Sequence, residues 1–167
     1  NQWQVAYPAG SVLVKATYGG DFGKADATDV DEPFAASIDR QQYFTEHSGY
    51  VSAMAVHNPA PCSSSSGGYS SDSVVATAHI GSDASSSIKV WSTRTMISIA
   101  TISLPNICML KFSPCGDLLL AVGFDEMHSI TVCKWKDRSV LYSSVSTSRV
   151  AYDCSFLGQG GSRFGLC

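Results

Sequence analysis

With 167 residues, 11 basic and 14 acidic side chains and a formal net charge of −3, the chain has the length of one ordinary domain and no strong charge of either sign. That balance gives no electrostatic case for nucleic acid or an anionic membrane as a partner. The apolar run Leu118–Phe124 falls far short of the ~20 residues that cross a bilayer as a helix, so no such span is read here.

The first strand expected in chain order is Val12–Val14, behind the turn-forming Pro8–Ala9–Gly10. Tyr18–Arg40 then loses all periodicity, is rich in Gly, Asp and Ala, and reads as an inserted surface loop. It carries Asp26, Asp29, Asp31 and Glu32 without the alternating ligands, central Gly and closing Glu of a calcium loop. Gln42–Thr45 is the outer strand that closes this first segment. Glu46–His47–Ser48–Gly49 follows, then Val51–His57, whose alternation suits a strand with a neighbouring sheet on each side. Pro59–Asp72, with Ser63–Ser66 and Gly67–Gly68, is a second insertion, too polar to supply a core. Val74–Ala78, Ser87–Trp91 and Met96–Ile102 are the next strands, with Ser92–Arg94 as a turn. The order repeats in Ile107–Phe112, Leu118–Gly123, Ser129–Trp135 and Val140–Val145, with Ser113–Asp117 as a Pro/Gly turn. Val150–Phe156, the turn Gly158–Gly161 and the strand Arg163–Cys167 start it once more.

Val74–Trp91 and Leu118–Trp135 align without a gap at a separation of 44 residues, and Phe112 maps onto Phe156 at the same spacing. A period of about 40–45 residues, with several short strands and a terminal Trp, marks a WD40-type propeller blade. The expected fold is therefore all-β, an incomplete WD40-type β-propeller of two full four-stranded blades and two partial ones. The segments are 1–46 with the inserted loop 18–40, 47–104 with the inserted loop 59–72, 105–147, and 148–167. Closed propellers use about 4–8 blades, so the chain reads as part of a longer polypeptide or larger assembly. The innermost strands end at Val56 and Phe112, 56 residues apart, so the second insertion adds 12 residues to the period. Ala76, Ala78, Ala121 and Gly123 let neighbouring sheets approach closely, while Trp91 and Trp135 fill the wider gap towards the rim. In many WD repeats a Gly-His pair stands where Glu46–His47 stands, and its imidazole supports a buried polar network with a strand-turn Asp. His47, Trp91, His128 and Trp135 are read as markers of the repeat.

Several blocks converge on one family. They are WQVAYPAGSVLV, RQQYFTEHSGYVSAMAVHNPA, SVVATAHIG, IKVWSTRTM and LLLAVGFDEMHSITVCKWK. Together they resemble the echinoderm microtubule-associated protein-like proteins. The matches lie at Ser11–Val14, Gln41–Tyr43, His47, Ala55–His57, Val75–Thr77 and Ile88–Trp91, with His128 and Trp135 in the places of a second His and Trp. Departures are Ser92 where WD repeats usually have Asp, Lys134–Trp135–Lys136 where the family often has W-D-W, and Ala78–His79 for Gly-Gln. The resemblance implies a non-enzymatic scaffold that binds tubulin or microtubules, with other cytoskeletal or ciliary proteins as partners, in the cytoplasm, cytoskeleton or ciliary axoneme. The alternative is a signalling or centriolar WD-repeat adaptor that binds peptides.

Catalytic chemistry finds little support. No G-x-S-x-G elbow accompanies the many serines, and Gly158–Gly161 lacks the Lys-Ser/Thr of a phosphate loop. Cys and His do not fall at paired zinc-ligand spacing, so no metal or cofactor is expected. The six cysteines include no C-x-x-C, and no N-x-S/T occurs, which favours buried thiols in a reducing compartment. Ser63–Ser66 offers hydroxyls for phosphorylation in a polar loop. Partner binding remains. Lys134, Lys136, Arg138 and Arg149 form the densest basic group and are the candidate contacts to acidic tubulin.

Overall fold

A computed structural model describes residues 2–19, 37–59, 72–81, 86–104, 106–146, 151–158 and 163–166. These residues are all β, in four antiparallel sheets with no helix among them. The first sheet is β1 (Gln2–Ala9), β2 (Val12–Gly19) and β3 (Ser37–Phe44). The second is β4 (Tyr50–His57), β5 (Val74–Ile80), β6 (Ile88–Ser92) and β7 (Ser98–Ile102). The third is β8 (Ile107–Phe112), β9 (Leu118–Gly123), β10 (Ile130–Lys134) and β11 (Ser139–Ser144). The fourth is β12 (Cys154–Leu157) with β13 (Arg163–Leu166). Within each sheet the strands lie in chain order, each hydrogen-bonded to the next.

Three apolar clusters lie between successive sheets and fix how they stack. Leu13 and Phe44 of the first sheet meet Val75 and Trp91 of the second. Ala76, Ala78, Val90 and Ile102 of the second meet Leu110, Leu119, Ala121 and Cys133 of the third. Leu120, Val122, Ile130 and Val132 of the third meet Cys154, Phe156 and Phe164 of the fourth. Strands β5 and β9 are thus covered on both faces, which is why VVATAHI and LLLAVG read as nearly continuous apolar runs. Alternation then assigns the sides: Val75 and Thr77 look back to the first sheet, Ala76 and Ala78 forward to the third. Ala76, Ala78 and Ala121 are buried between the second and third sheets. Each fully buried Val, Leu or Ile contributes about 1.5–3 kcal/mol, so these three clusters are the main source of cohesion.

Pairing registers measure the repeat more finely than sequence spacing does. Ala53 pairs with Ala78 where Met109 pairs with Val122, so β4 maps to β8 at 56 residues and β5 to β9 at 44. Ala78 pairs with Ile88 where Val122 pairs with Ile130, so β6 maps to β10 at 42. Strand β7 maps to β11 at 42 as well, because Ile88 faces Ile102 and Ile130 faces Ser144. The bulges agree, falling between Val90 and Trp91 and between Val132 and Cys133. So do two left-handed turn residues, Met96 with φ 57° and Arg138 with φ 56°. The 12-residue excess ahead of β5 is therefore real. The equivalence of Trp91 with Trp135 is not: the counterpart of Trp91 is Cys133, and Trp135 lies two residues further on, in a turn. The cause is the β9–β10 connection, two residues shorter than β5–β6, a difference that a gapless alignment cannot register.

The first sheet is larger than expected. Strand β1 was not anticipated; its Trp3, Val5 and Tyr7 do alternate. Strand β2 runs on to Gly19 and β3 begins at Ser37, so both ends of the 18–40 span are strand, and the remainder of that span lies outside the described residues. Most of the 59–72 insertion lies outside them too. The β1–β2 hairpin closes through Gly10–Ser11, with Gly10 at φ 68°, the positive value that a two-residue hairpin turn demands of its first central residue. The Gly10 carbonyl also accepts a hydrogen bond from Val51 N at 2.9 Å, tying the first sheet to the second.

Gly49 sits where the chain leaves the first sheet for β4. A Cβ added there would stand 2.2 Å from the carbonyl oxygen of Ile80, which is backbone and cannot swing aside. Gly49→Ala is expected to destabilise the chain by about 1–3 kcal/mol, the usual cost of forced overpacking. A urea midpoint unchanged from the parent would refute this close approach.

Candidate functional site

The best-defined polar constellation is buried between the first and second sheets. Thr77 on β5 is its hub: Trp91 Nε1 donates to Thr77 Oγ1 at 3.2 Å, and His47 Nε2 lies 2.7 Å from the same oxygen. His47 Nδ1 faces His79 Nδ1 at 3.0 Å, and His79 Nε2 lies 3.3 Å from Ser48 Oγ. Thr77, His47 and His79 are buried, and Trp91 is fully so, with its ring stacked on Phe44 at a centroid distance of 5.0 Å. No buried side-chain nitrogen or oxygen among the described residues lacks a hydrogen-bond partner.

Local structure explains why these groups meet. Thr77 and His79 are two residues apart on one strand and so share a face. The chain between β3 and β4 crosses that face, and Gly49 lets it pass close enough for His47 to reach Thr77. Burial holds the His47 imidazole to a pKa of about 4, with the neighbouring His79 and Lys89 adding to the effect. His47 is then neutral at physiological pH, and one of the two rings supplies the proton between the Nδ1 atoms while the other accepts it. The Glu46 carboxylate pairs with Lys89 at 3.4 Å.

The arrangement ties the chain between β3 and β4 to strands β5 and β6. His47, Thr77 and Trp91 are covered, with Phe44 stacked on the indole, while Ser48 at the outer end of the network is exposed beside His79 Nε2. His47 and Trp91, two of the four residues singled out in the sequence, are brought into one network. The other two are not. His128 lies in the β9–β10 turn with φ 45° and Nδ1 3.3 Å from Gly123 O, and Trp135 donates from Nε1 to Gly116 O at 2.7 Å. In the third sheet Ala121 holds the place of Thr77, Gly123 that of His79 and Cys133 that of Trp91. Replacing all the polar partners together leaves no orphaned donor behind. Thr77, His79 and Ser48 were missed in the sequence; the signal was a threonine and a histidine spaced by two within an otherwise apolar strand.

The basic group lies elsewhere. Lys134 ends β10, and Lys136 and Arg138 stand exposed in the turn to β11. Lys136 Nζ is 2.9 Å from Asp117 Oδ1 and 5.6 Å from the Trp135 ring centroid. The Lys136 ammonium, by hydrogen bond and by charge, holds the Asp117 carboxyl below its ordinary range. With Asp137 in the same turn, three cations sit among two carboxylates, a weaker positive surface than the sequence suggested. Arg149 lies outside the described residues.

Between the first and second sheets lies a polar groove of about 670 Å³. Lys15, Arg40 and Gln42 line it from the first sheet, and Asp72, Thr93 and Arg94 from the second. Arg94 pairs with Asp72 at 2.6 Å. No protein-family model matches the chain.

Proposed function

We propose that this chain is a propeller-type scaffold segment of the WD-repeat class and that it binds tubulin or the microtubule lattice. The observation that carries the scaffold reading is the serial stack of antiparallel sheets, with registers, bulges and left-handed turn residues that recur from the second sheet to the third. Nearest-neighbour stacking of repeated units is how repeat proteins build rigid binding platforms. The buried His47–Thr77–Trp91 network supports the WD-repeat assignment in particular, since it joins the loop before a blade to the blade's second and third strands. The microtubule assignment rests on the resemblance of the sequence blocks and on the exposed Lys134, Lys136 and Arg138. It places the protein in the cytoplasm, on the cytoskeleton or in a ciliary axoneme.

The test is co-sedimentation of the chain with microtubules across a salt series. The expected result is pelleting at low salt that declines as the Debye length shrinks. Charge reversal at Lys134 and Arg138 is expected to weaken it further, by about fivefold if both cations contact the acidic lattice. Absence from the pellet at low salt would overturn the microtubule assignment. The adaptor reading draws on a separate observation, the polar groove between the first two sheets, which is of a size to admit a short peptide.

A further inference from the structure

We infer that the groove between the first and second sheets is a binding site for a short acidic peptide, recognised through its carboxylates by Lys15 and Arg40. The inference does not depend on the microtubule reading.

Lys15 is the unusual residue. It lies in the middle of β2 on the face turned to the second sheet, two residues from the core leucine Leu13, and only 7% of it is exposed. A lysine so placed normally has a carboxylate beside it. Among the described residues none forms an ion pair with it. Its ammonium instead reaches across the groove to the backbone carbonyl of Thr93, which satisfies one of its three donors and neutralises none of its charge.

A second cation stands close by. Arg40 pairs across the ladder with Thr17, and Gln42 with Lys15, so Lys15 and Arg40 are diagonal neighbours on adjacent strands. Two like charges at that spacing repel, and their repulsion adds to burial in lowering the lysine's proton affinity. Arg40 forms no ion pair among the described residues either. The opposite wall is already balanced, because Arg94 and Asp72 neutralise each other. The first-sheet wall of the groove therefore holds Lys15 and Arg40 with one carboxylate, Asp39, and the Thr93 carbonyl orients the lysine. An incoming carboxylate relieves the repulsion and supplies the missing countercharge.

Two features favour a peptide over a small inorganic anion. Asp39, Arg40 and Gln42 all line the groove, so it runs along β3, with Asp39 the unpaired residue of a bulge there. β3 is an edge strand, and one side of its backbone lies outside the sheet's ladder, available to an extended segment. Gln4, Gln42 and Ser73 add amide and hydroxyl groups along the groove to meet a peptide backbone.

The experiment is fluorescence anisotropy of a labelled hexaglutamate peptide with the full 167-residue chain. Binding with a Kd on the order of 0.1 mM at low salt is expected, a value suited to a polar site without an aromatic anchor. Arg40→Gln, at an exposed position that cannot unsettle the core, is expected to weaken it by about fivefold. Lys15→Met, checked for folding by circular dichroism, is expected to abolish it. Lys111→Gln, a surface cation on β8, is expected to leave it unchanged. No binding by the parent chain, equal binding by Arg40→Gln, or equal binding of a hexaglutamine peptide would overturn the proposal. Displacement of the peptide by inorganic phosphate or citrate at concentrations near the peptide's own Kd would also overturn it, by assigning the groove to simple anions.

Discussion

Trp91→Ala is expected to destabilise the chain by about 3–5 kcal/mol, the range for truncating a buried aromatic side chain. Trp91 is fully buried, stacked on Phe44 and bonded to Thr77, so three things are lost together. A cavity opens between the first and second sheets, the aromatic stack disappears, and Thr77 Oγ1 keeps His47 but loses its indole donor. Native domains are stable by only about 5–15 kcal/mol, so a loss of this size is a large share of the total. The informative comparison is Cys133→Ala. Cys133 occupies the same register position one sheet later and is equally buried, but it carries a single heavy atom beyond Cβ. Its removal is expected to cost about 1 kcal/mol, because a small apolar group is lost and no hydrogen-bonded partner of any weight is abandoned. Trp91→Phe separates the two parts of the larger effect: the stack on Phe44 is retained, the N–H is lost, and about 1 kcal/mol is expected for the hydrogen bond alone. Urea denaturation of the parent and the three variants measures all of this. Equal costs for Trp91→Ala and Cys133→Ala would refute the buried network as a source of stability.

That contrast also shows which parts of the molecule a sequence discloses. The strands of the second and third sheets were legible because β5 and β9 are apolar on both faces and are punctuated by glycine, proline and serine turns. The excess length ahead of β5 was legible because β4 and β8 end in recognisable patterns. Strand β1 was overlooked although Trp3, Val5 and Tyr7 alternate, because Val5 and Tyr7 are partly exposed and the strand lies at an edge. The pairing of Trp91 with Trp135 failed for a different reason. Spacing along the chain sums strand and turn lengths, and a turn shortened by two residues slides the next strand without disturbing any local pattern. Only the cross-strand register reports the slide, and it places Cys133 opposite Leu119 where Trp91 stands opposite Val75. The candidate site shows the same divide. His47 and Trp91 were visible as markers of the repeat, whereas their partnership with Thr77 and His79 depends on a chain crossing that no periodicity encodes. Lys15 was invisible for a related reason: a lysine between Val14 and Ala16 reads as an outward position, and only the packing of the second sheet over that face turns it inward.

Acidification from pH 6.5 to pH 4 is expected to remove about 3 kcal/mol of stability, the free-energy equivalent of the His47 shift. His47 is held at about 4 in the folded chain, against an ordinary value of 6.5. In that window the unfolded chain binds a proton at this residue and the folded chain does not, so the unfolded state binds more protons and stability rises with pH. The contribution is complete above pH 6.5 and is lost as pH falls towards 4, below which this residue adds no further slope. The physical origin is burial: a charged imidazole would lie under Phe44 and Trp91 beside a second imidazole and near the Lys89 ammonium. Asp117, whose carboxyl is depressed by Lys136, acts below its ordinary range and so outside this window. The check is a urea series at closely spaced pH values for the parent and for His47→Gln, which keeps a neutral hydrogen-bonding group but cannot titrate. His47→Gln is expected to be less stable at pH 7, because an amide cannot bridge Thr77 and His79 with the geometry of an imidazole. It is also expected to lose most of the slope between pH 4 and 6.5. The second effect is the diagnostic one, since any destabilising substitution gives the first. An unaltered slope in His47→Gln would place the acid sensitivity elsewhere in the fold and remove the argument that this histidine is kept neutral by its surroundings.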